Sequence, residues 1–505
     1  MPAGVGVAAS AAKRFAVAEG ENVRLAMVNK FLGPGKFGKM FPSAAPFIPP
    51  DAALISLGEA MREPGTAPTL DNPKIPAGFT YLGQFIDHDI TFDKTEGFPQ
   101  IDDPKQIQQA RTPSLDLDSL YGLGPKRQPE LYQEGVPQSR ALFKIGATRE
   151  GDSSGGQDAP PVPGGQPHDL PRKDKLAVIA DPRNDENLIV AQLHLAMLKF
   201  HNKVVALLQQ KGQGKGAAKG KESGTAFKRA KKLVTWHYQW IVLYDFVGRL
   251  IDPKVLDSIL KRGRKFYKWD ERPFMPLEFS VAAYRLGHSM VREQYNYNRV
   301  FSTDPGALTV ATLGLLFRFT GKSGEDVPIP GNWVIDWRRF FDVGSPQLLN
   351  ATRKLDTTLI PALHNLPKIP DPEPKSLAVR NLLRGSRVGL PSAQEVAKLM
   401  KLTPLTPQQL AGGNDGTVLK QHSFHKQTPL WYYILREAEV KGKGQRLGPL
   451  GSRIVGEVFV GLLQGSPDSF LTAEPNWKPT LPSAKPGKFT MADLLNFVGE
   501  LNPIG

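Results

Sequence analysis

The apolar residues of this chain recur with a helical period along most of its length, and this constrains the fold more than any other feature. Between Glu186 and Gln210, Leu188, Ile189, Leu193, Leu195, Leu198 and Val204 fall at near-helical spacing. Phe227 to Ile251 continues in the same way through Leu233, Trp236, Trp240, Leu243 and Phe246. Ser392-Ala-Gln-Glu395 reads as a capping box opening one further helix, and Thr406-Pro407 as the N-cap and first residue of another. Alternating strand patterns are few and no internal repeat is found. The expected fold is therefore mainly α: a single large helical domain with long irregular loops and little β.

Gly- and Pro-rich stretches punctuate these segments. Residues 1–75 read as an irregular N-terminal arm packing on the body, and residues 76–505 as the main domain. Residues 150–171, 211–224 and Pro367 to Pro374 read as loops, and the tail from Pro475 as Pro-rich before a short amphipathic turn at Met491 to Val498. A length of 505 residues would allow three or four average domains, but one helical body can absorb it. No apolar run approaches the roughly 18 residues of a membrane span.

Cysteine is absent, which removes thiolate haem ligation, iron–sulfur clusters and cysteine nucleophiles, and points to a reducing compartment or a bacterial source. Met1 to Ser10 lacks the charged start and apolar core of a secretory signal, so the expected location is cytoplasmic, or outside by a non-classical route. Lys and Arg total 64 against 49 for Asp and Glu, a net charge of +15. Much of that excess lies in the Gly/Lys run Lys211 to Lys221 and in Lys228 to Lys232. It favours non-specific attraction to polyanions but reads foremost as a solvated loop.

Chemistry concentrates in a few segments. In Gly83-Gln84-Phe85-Ile86-Asp87-His88-Asp89, the histidine between two aspartates is open to three readings: metal ligand, general base or surface helix end. Neighbours on a helix diverge by about 100°, so Asp87, His88 and Asp89 must point to different places. Thr112-Pro-Ser114-Leu-Asp116-Leu-Asp118 puts oxygen-bearing residues at every second position. That spacing suits either a loop wrapped around a hard cation or a half-buried polar strand. Asp181-Pro-Arg183-Asn-Asp-Glu186-Asn187 is a helix start with acidic residues in its first turn. His194 and His201 share a helix face and read as structural. Tyr284-Arg285-Leu-Gly-His288 places a lone histidine in an apolar helix, and Asn381-Leu-Leu-Arg384 lies in a helix ended by Gly389 and Pro391. Gly321-Lys322-Ser323 lacks the first glycine of a phosphate loop, position 316 being Leu.

Taken in order, these segments resemble the animal-type haem peroxidases of the peroxidase–cyclooxygenase superfamily. The resemblance implies one haem b. His88 would be the distal acid–base, Arg183 the distal arginine, and Gln84 would line the pocket. Asp87 and Glu186 match the residues that can ester-link the haem, and Asn187 stands where one mammalian branch has a linking methionine. His288 would ligate the iron. Asn381 would accept the proton of its far nitrogen, and Arg384 would pair with a haem propionate. Arg285 matches the peroxidase pattern, whereas fatty-acid oxygenases place a tyrosine there; Tyr284 is one position off. Calcium would be held by Asp89, Thr112, Ser114 through its carbonyl, Asp116 and Asp118, the last standing where serine is more usual. The implied reaction reduces hydrogen peroxide to water and oxidises a halide, thiocyanate or small aromatic donor through a ferryl haem intermediate, with no specific nucleic-acid partner and no membrane span. The competing readings are a haem-dependent fatty-acid dioxygenase and a non-enzymatic basic polyanion-binding protein.

Overall fold

The 26-residue helix Leu188–Gln213 forms the spine of the molecule, with Ala226–Trp240, Gly78–Ile90 and Met491–Val498 packed against it. A second group surrounds Pro449–Gln464, which packs on Pro253–Arg262 and Leu430–Gly442. The computed structural model describes residues 35–64, 70–95, 97, 99–151, 162–213, 225–367 and 369–505, with residues 211–213 described by backbone only. Among them, β-structure is confined to two-stranded ribbons, and no helix is long and apolar enough to cross a membrane. The fold is mainly α, as its apolar period dictates.

The second expected helix breaks regularity in one place. Ala226–Trp240 is α-helical, opened by Thr225, whose side chain accepts from the Lys228 N–H. Ile241–Phe246 then widens into a π-helical turn before Val247–Leu250 resumes. Thr406 forms a full capping box with Gln409, whereas at Ser392 only the serine half of the expected box is made. The amphipathic turn at Met491–Val498 is a two-turn helix with its own capping box, Thr490 with Asp493.

The N-terminal arm is less irregular than its composition suggests. Asp51–Ala60 is a helix whose Leu54 and Leu57, together with Met61 just beyond it, are buried at helical spacing against Leu377–Arg387. Gly58 makes this contact possible: a Cβ there would lie 2.7 Å from Val379 Cγ2. The strand Asp71–Pro76 runs across the expected boundary between residues 75 and 76 and pairs antiparallel with Ala351–Arg353. Further back, Phe37–Gly38 pairs parallel with Met275–Pro276, and the buried Glu278 carboxylate accepts the N–H groups of Met40 (2.9 Å) and Phe41 (3.0 Å). Residues 1–34 of the arm, 152–161 of the first loop, 214–224 of the basic run and position 368 lie outside the described residues.

Candidate active site

The helix Gly78–Ile90 buries Leu82, Phe85, Ile86 and Ile90 and starts tight against Phe340 and Phe341, where only glycine fits at position 78. Its successive residues 87, 88 and 89 diverge as helical geometry requires. Asp87 is half-buried and accepts the Thr91 hydroxyl (3.0 Å). His88 turns to Asn184, whose Oδ1 lies 2.8 Å from His88 Nδ1. Asp89 points into the loop 112–119, accepting Ser119 Oγ (3.0 Å) and the Leu117 N–H (3.3 Å).

The 3₁₀ turn Pro182–Asp185 supplies the groups facing this helix. Asp181 caps the turn and is fully buried. Burial would raise its pKa, but Arg111 and Arg183 outweigh that effect and hold it well below the usual carboxylate range. Its Oδ2 accepts from Arg111 Nε (2.9 Å) and from Arg183 Nη2 (2.7 Å), while its Oδ1 accepts from Arg183 Nε (3.0 Å). Arg183 Nη2 also donates to the His88 carbonyl (2.8 Å), and its guanidinium lies 4.0 Å from the Phe92 ring centre. Arg183 is thus fixed on three sides. Gln84 accepts at Oε1 from Asn187 (2.8 Å), which turns its amide nitrogen toward Glu186 (3.5 Å). Asn187 therefore orients Gln84, a role the sequence did not suggest.

His194 and His201 divide. His201 is bonded at both nitrogens, to the Tyr121 hydroxyl (3.0 Å) and the Ala141 carbonyl (3.2 Å), and packs among Phe143 and Phe227. His194 joins the site indirectly: its Nδ1 lies 3.0 Å from Asn184 Nδ2, and its buried Nε2 has no hydrogen-bond partner.

Across the cleft, the chain runs through a π-helical stretch, Glu278–Ala282, a 3₁₀ turn, Ala283–Leu286, and a short helix, Gly287–Met290. His288 sits in the last of these, half-buried, with its Nδ1 2.7 Å from Asn381 Nδ2. Arg285 Nη1 donates to Asn381 Oδ1 at 3.4 Å, and Arg285 Nε to the Ser280 carbonyl at 3.2 Å. This corrects one expectation: Asn381 turns its amide nitrogen, not its oxygen, toward His288. Arg285 can only donate, so it draws the oxygen to itself. Arg384 lies one turn beyond Asn381 and gives Nη2 to the Asp93 carboxylate (2.5 Å). Its Nη1 is buried and unpartnered. Tyr284 is buried, stacked on Phe279, and donates to the Gly83 carbonyl (3.1 Å), tying the two sides together.

The two sides face one space. Asp87 feels the charge of Arg285 from one side and of Arg183 from the other, and Glu186 feels both Arg183 and Asp87. Gln84, Asp87, Arg183, Glu186, Arg285 and His288 all keep accessible surface. Yet burial is the largest cause of the shifts at Asp87, Glu186, Arg285 and His288, as expected for groups lining an interior cleft. Burial pushes Glu186 up to about 7. Burial, followed by Arg183 at His88 and Arg285 at His288, lowers both histidines to about 3, so both are neutral imidazoles.

A second cluster lies behind His88. Carboxylate oxygens of Asp89, Asp116 and Asp118 lie within 4.8 Å of one another. Thr112 Oγ1 donates to Asp116 (2.9 Å), and Leu117 adopts a left-handed φ of 58° that folds the loop inward. Ser114 gives its N–H to the Thr112 carbonyl (2.8 Å), and no bond from it to the cluster is among the described contacts. Both oxygens of buried Asp118 lack a hydrogen-bond partner, although Arg111 Nη1 stands 3.6 Å away. Three carboxylates crowded together, two of them buried and one with both oxygens unsatisfied, suit a hard cation.

No signal in the sequence assigns a role to Asn184, Asp181 or Arg111. Asn184 and Asp181 flank Arg183 in the segment already noted, and only folding shows that they converge on His88.

The family model for animal haem peroxidase matches residues 92–479, beginning just after His88. A peroxidase-like protein of Margaritifera margaritifera is 25% identical over 399 residues, covering 68% of this chain and 47% of that protein. The chain spans less than half the length of the curated relatives it matches. Among solved structures, peroxidase A from Dictyostelium discoideum superposes with a TM-score of 0.61 at 16% identity, over 93% of this chain and 94% of that one. Fatty acid alpha-dioxygenase of Oryza sativa gives a TM-score of 0.55 at 13% identity, over 91% and 80%.

Proposed function

The chain belongs to the animal haem peroxidase family, and on that premise we propose that it is a peroxidase acting at the cleft between His88 and His288. The observation that carries this reading is a pair of neutral imidazoles, His88 beside Asp87 and His288 three residues after Arg285, where the Asp87 carboxylate feels the charges of both Arg285 and Arg183. Each has its Nδ1 engaged by an asparagine, and neither Nε2 makes a hydrogen bond among the described residues.

The side chains present fit a haem. His288 would hold the iron through Nε2. Asn381 would then accept from Nδ1–H after a half-turn of its amide, which loses only the long 3.4 Å contact with Arg285. The unpartnered Arg384 Nη1 suits a propionate. Asp87 and Glu186, both raised by burial, line the cleft where ester links would form. A bound haem would take up the oxidising equivalents of peroxide and pass them to a donor. His88 Nε2 accepts a proton from hydrogen peroxide and returns it to the departing oxygen, which leaves as water. Arg183, immobilised by Asp181, offsets the negative charge that grows on that oxygen as the O–O bond breaks. Gln84, held by Asn187, directs its amide N–H groups into the same space.

A halide, thiocyanate or small aromatic donor remains the reading for the second substrate, supported by the cationic Arg183, Arg285 and Arg384 around the cleft. Asp89, Asp116 and Asp118 would hold calcium, with the unsatisfied oxygens of Asp118 as the support. The dioxygenase reading finds less support: Tyr284, beside the position where such enzymes carry their tyrosine, is buried and bonded to a backbone carbonyl. The test is an absorption spectrum of the purified protein supplied with haem, before and after peroxide. A Soret band that shifts with peroxide and is perturbed by His288→Ala supports the reading. A protein that takes up no haem rejects it, and oxygen uptake with an unsaturated fatty acid but no peroxide-dependent dye oxidation moves it to a dioxygenase.

A further inference from the structure

His88 can take a proton at Nε2 only if that nitrogen is bare, so its single ring proton must sit on Nδ1. What faces Nδ1 therefore decides whether the base works. That group is the Asn184 amide oxygen at 2.8 Å. An amide presents an oxygen on one side and a nitrogen on the other, and turning it over would place N–H groups against His88 Nδ1. The second contact of Asn184 fits this orientation: its Nδ2 lies 3.0 Å from Nδ1 of His194, which is fully buried and accepts there when its own proton is on Nε2. The three side chains form one buried relay, with His194 in the long helix Leu188–Gln213, Asn184 in the 3₁₀ turn and His88 in the helix Gly78–Ile90.

We propose that Asn184, oriented by His194, is a positioning residue that holds His88 in the tautomer able to accept the peroxide proton. This rests on the peroxidase reading above. The relay is charge-neutral, as its surroundings demand: Arg183 and Arg111 bring positive charge toward His88, and Asp181, which binds both, offsets them. A carboxylate could replace Asn184 as acceptor. His194 would then move its own proton to Nδ1 and donate to the new residue, which its unpartnered Nε2 leaves it free to do.

The experiment compares wild-type holoenzyme with Asn184→Leu and Asn184→Asp, reading the rate of reaction with hydrogen peroxide and the Soret band. General acid–base catalysis contributes on the order of 10²–10⁴ in rate. The leucine variant, which has no acceptor, should lose at least about a hundredfold of that while keeping its haem. The aspartate variant should recover to within about tenfold of wild type, because it restores the acceptor. A leucine variant as fast as wild type overturns the proposal, and so does an aspartate variant as slow as the leucine one with an unchanged Soret band. In parallel, ¹⁵N spectra of histidine-labelled wild-type holoenzyme in its diamagnetic ferrous carbonyl form report the tautomer without turnover and without any variant having to fold. A proton on His88 Nδ1 supports the proposal and a proton on Nε2 overturns it. Haem-loaded wild type that ignores peroxide would reject the peroxidase reading, while the ¹⁵N result would still decide the role of Asn184.

Discussion

Both histidines facing the cleft rest Nδ1 on an asparagine, at 2.8 Å for His88 and 2.7 Å for His288, yet the two amides turn opposite faces to them. Asn184 presents its oxygen because its nitrogen is directed to the His194 ring. Asn381 presents its nitrogen because its oxygen is taken by Arg285. Their backbones differ as well. His88 lies on a regular 13-residue helix, whereas His288 follows a π-helical stretch and a 3₁₀ turn. The difference teaches that a histidine–asparagine pair has no fixed chemical sense of its own. A third residue goes with each orientation: His194, whose ring can accept or donate, beside Asn184, and Arg285, an obligate donor, beside Asn381.

The comparison breaks most sharply at the histidines themselves. His88→Ala should slow the reaction with peroxide by about 10²–10⁴ while the Soret band stays. His288→Ala should instead disturb the Soret band, and stopped-flow and absorption spectra on the same samples separate the two effects. Asp181→Asn comes next. It leaves Arg111 and Arg183 without their shared buried carboxylate, and loss of one partner of such a pair costs about 3–5 kcal/mol. Urea unfolding should show a loss of that size, with the peroxide rate falling as Arg183 loosens.

Calcium should add stability behind His88 alone, by about 2.7 kcal/mol at roughly a hundredfold excess over Kd. Asp118→Ala should abolish the increase, and thermal unfolding with and without calcium checks it. On the proximal side, Arg285→Leu removes the donor that competes with His288 for the Asn381 oxygen, so the hydrogen bond from His288 Nδ1–H strengthens. The lower reduction potential expected from that change should appear in spectroelectrochemical titration, with little effect on the distal proton transfer.

The smallest effect is a pH dependence of the chain without haem. Burial lifts Glu186 to about 7 from its ordinary 4.5, so the folded state holds that proton more tightly than the unfolded one. The stabilisation is complete below the ordinary value and is lost as pH rises through about 7. Glu186→Gln should flatten this part of the profile when unfolding temperatures at pH 5 and pH 8 are compared.

The sequence by itself determined the helical class, because apolar spacing survives any arrangement of the helices, and it marked His88, Arg183, His288 and Asn381 through short motifs that resemble those of the animal haem peroxidases. It also separated Asp87, His88 and Asp89 into three directions, since helical geometry is local. Tertiary structure alone decided who meets whom. The pairing of His88 with Asn184, the sharing of Asp181 by Arg111 and Arg183, the turn of Asn381 toward Arg285 and the contact of Arg384 with Asp93 join positions that sequence spacing does not relate. The π-helical turn at Ile241–Phe246 and the helix Asp51–Ala60 also escaped composition. The first is invisible to an apolar pattern, and the second lies within a stretch rich in Ala, Gly and Pro and gains its stability from packing on Leu377–Arg387. Hydrogen-bond partners and amide faces are settled by which side chains the fold brings within about 3 Å, and no property of a linear segment carries that information.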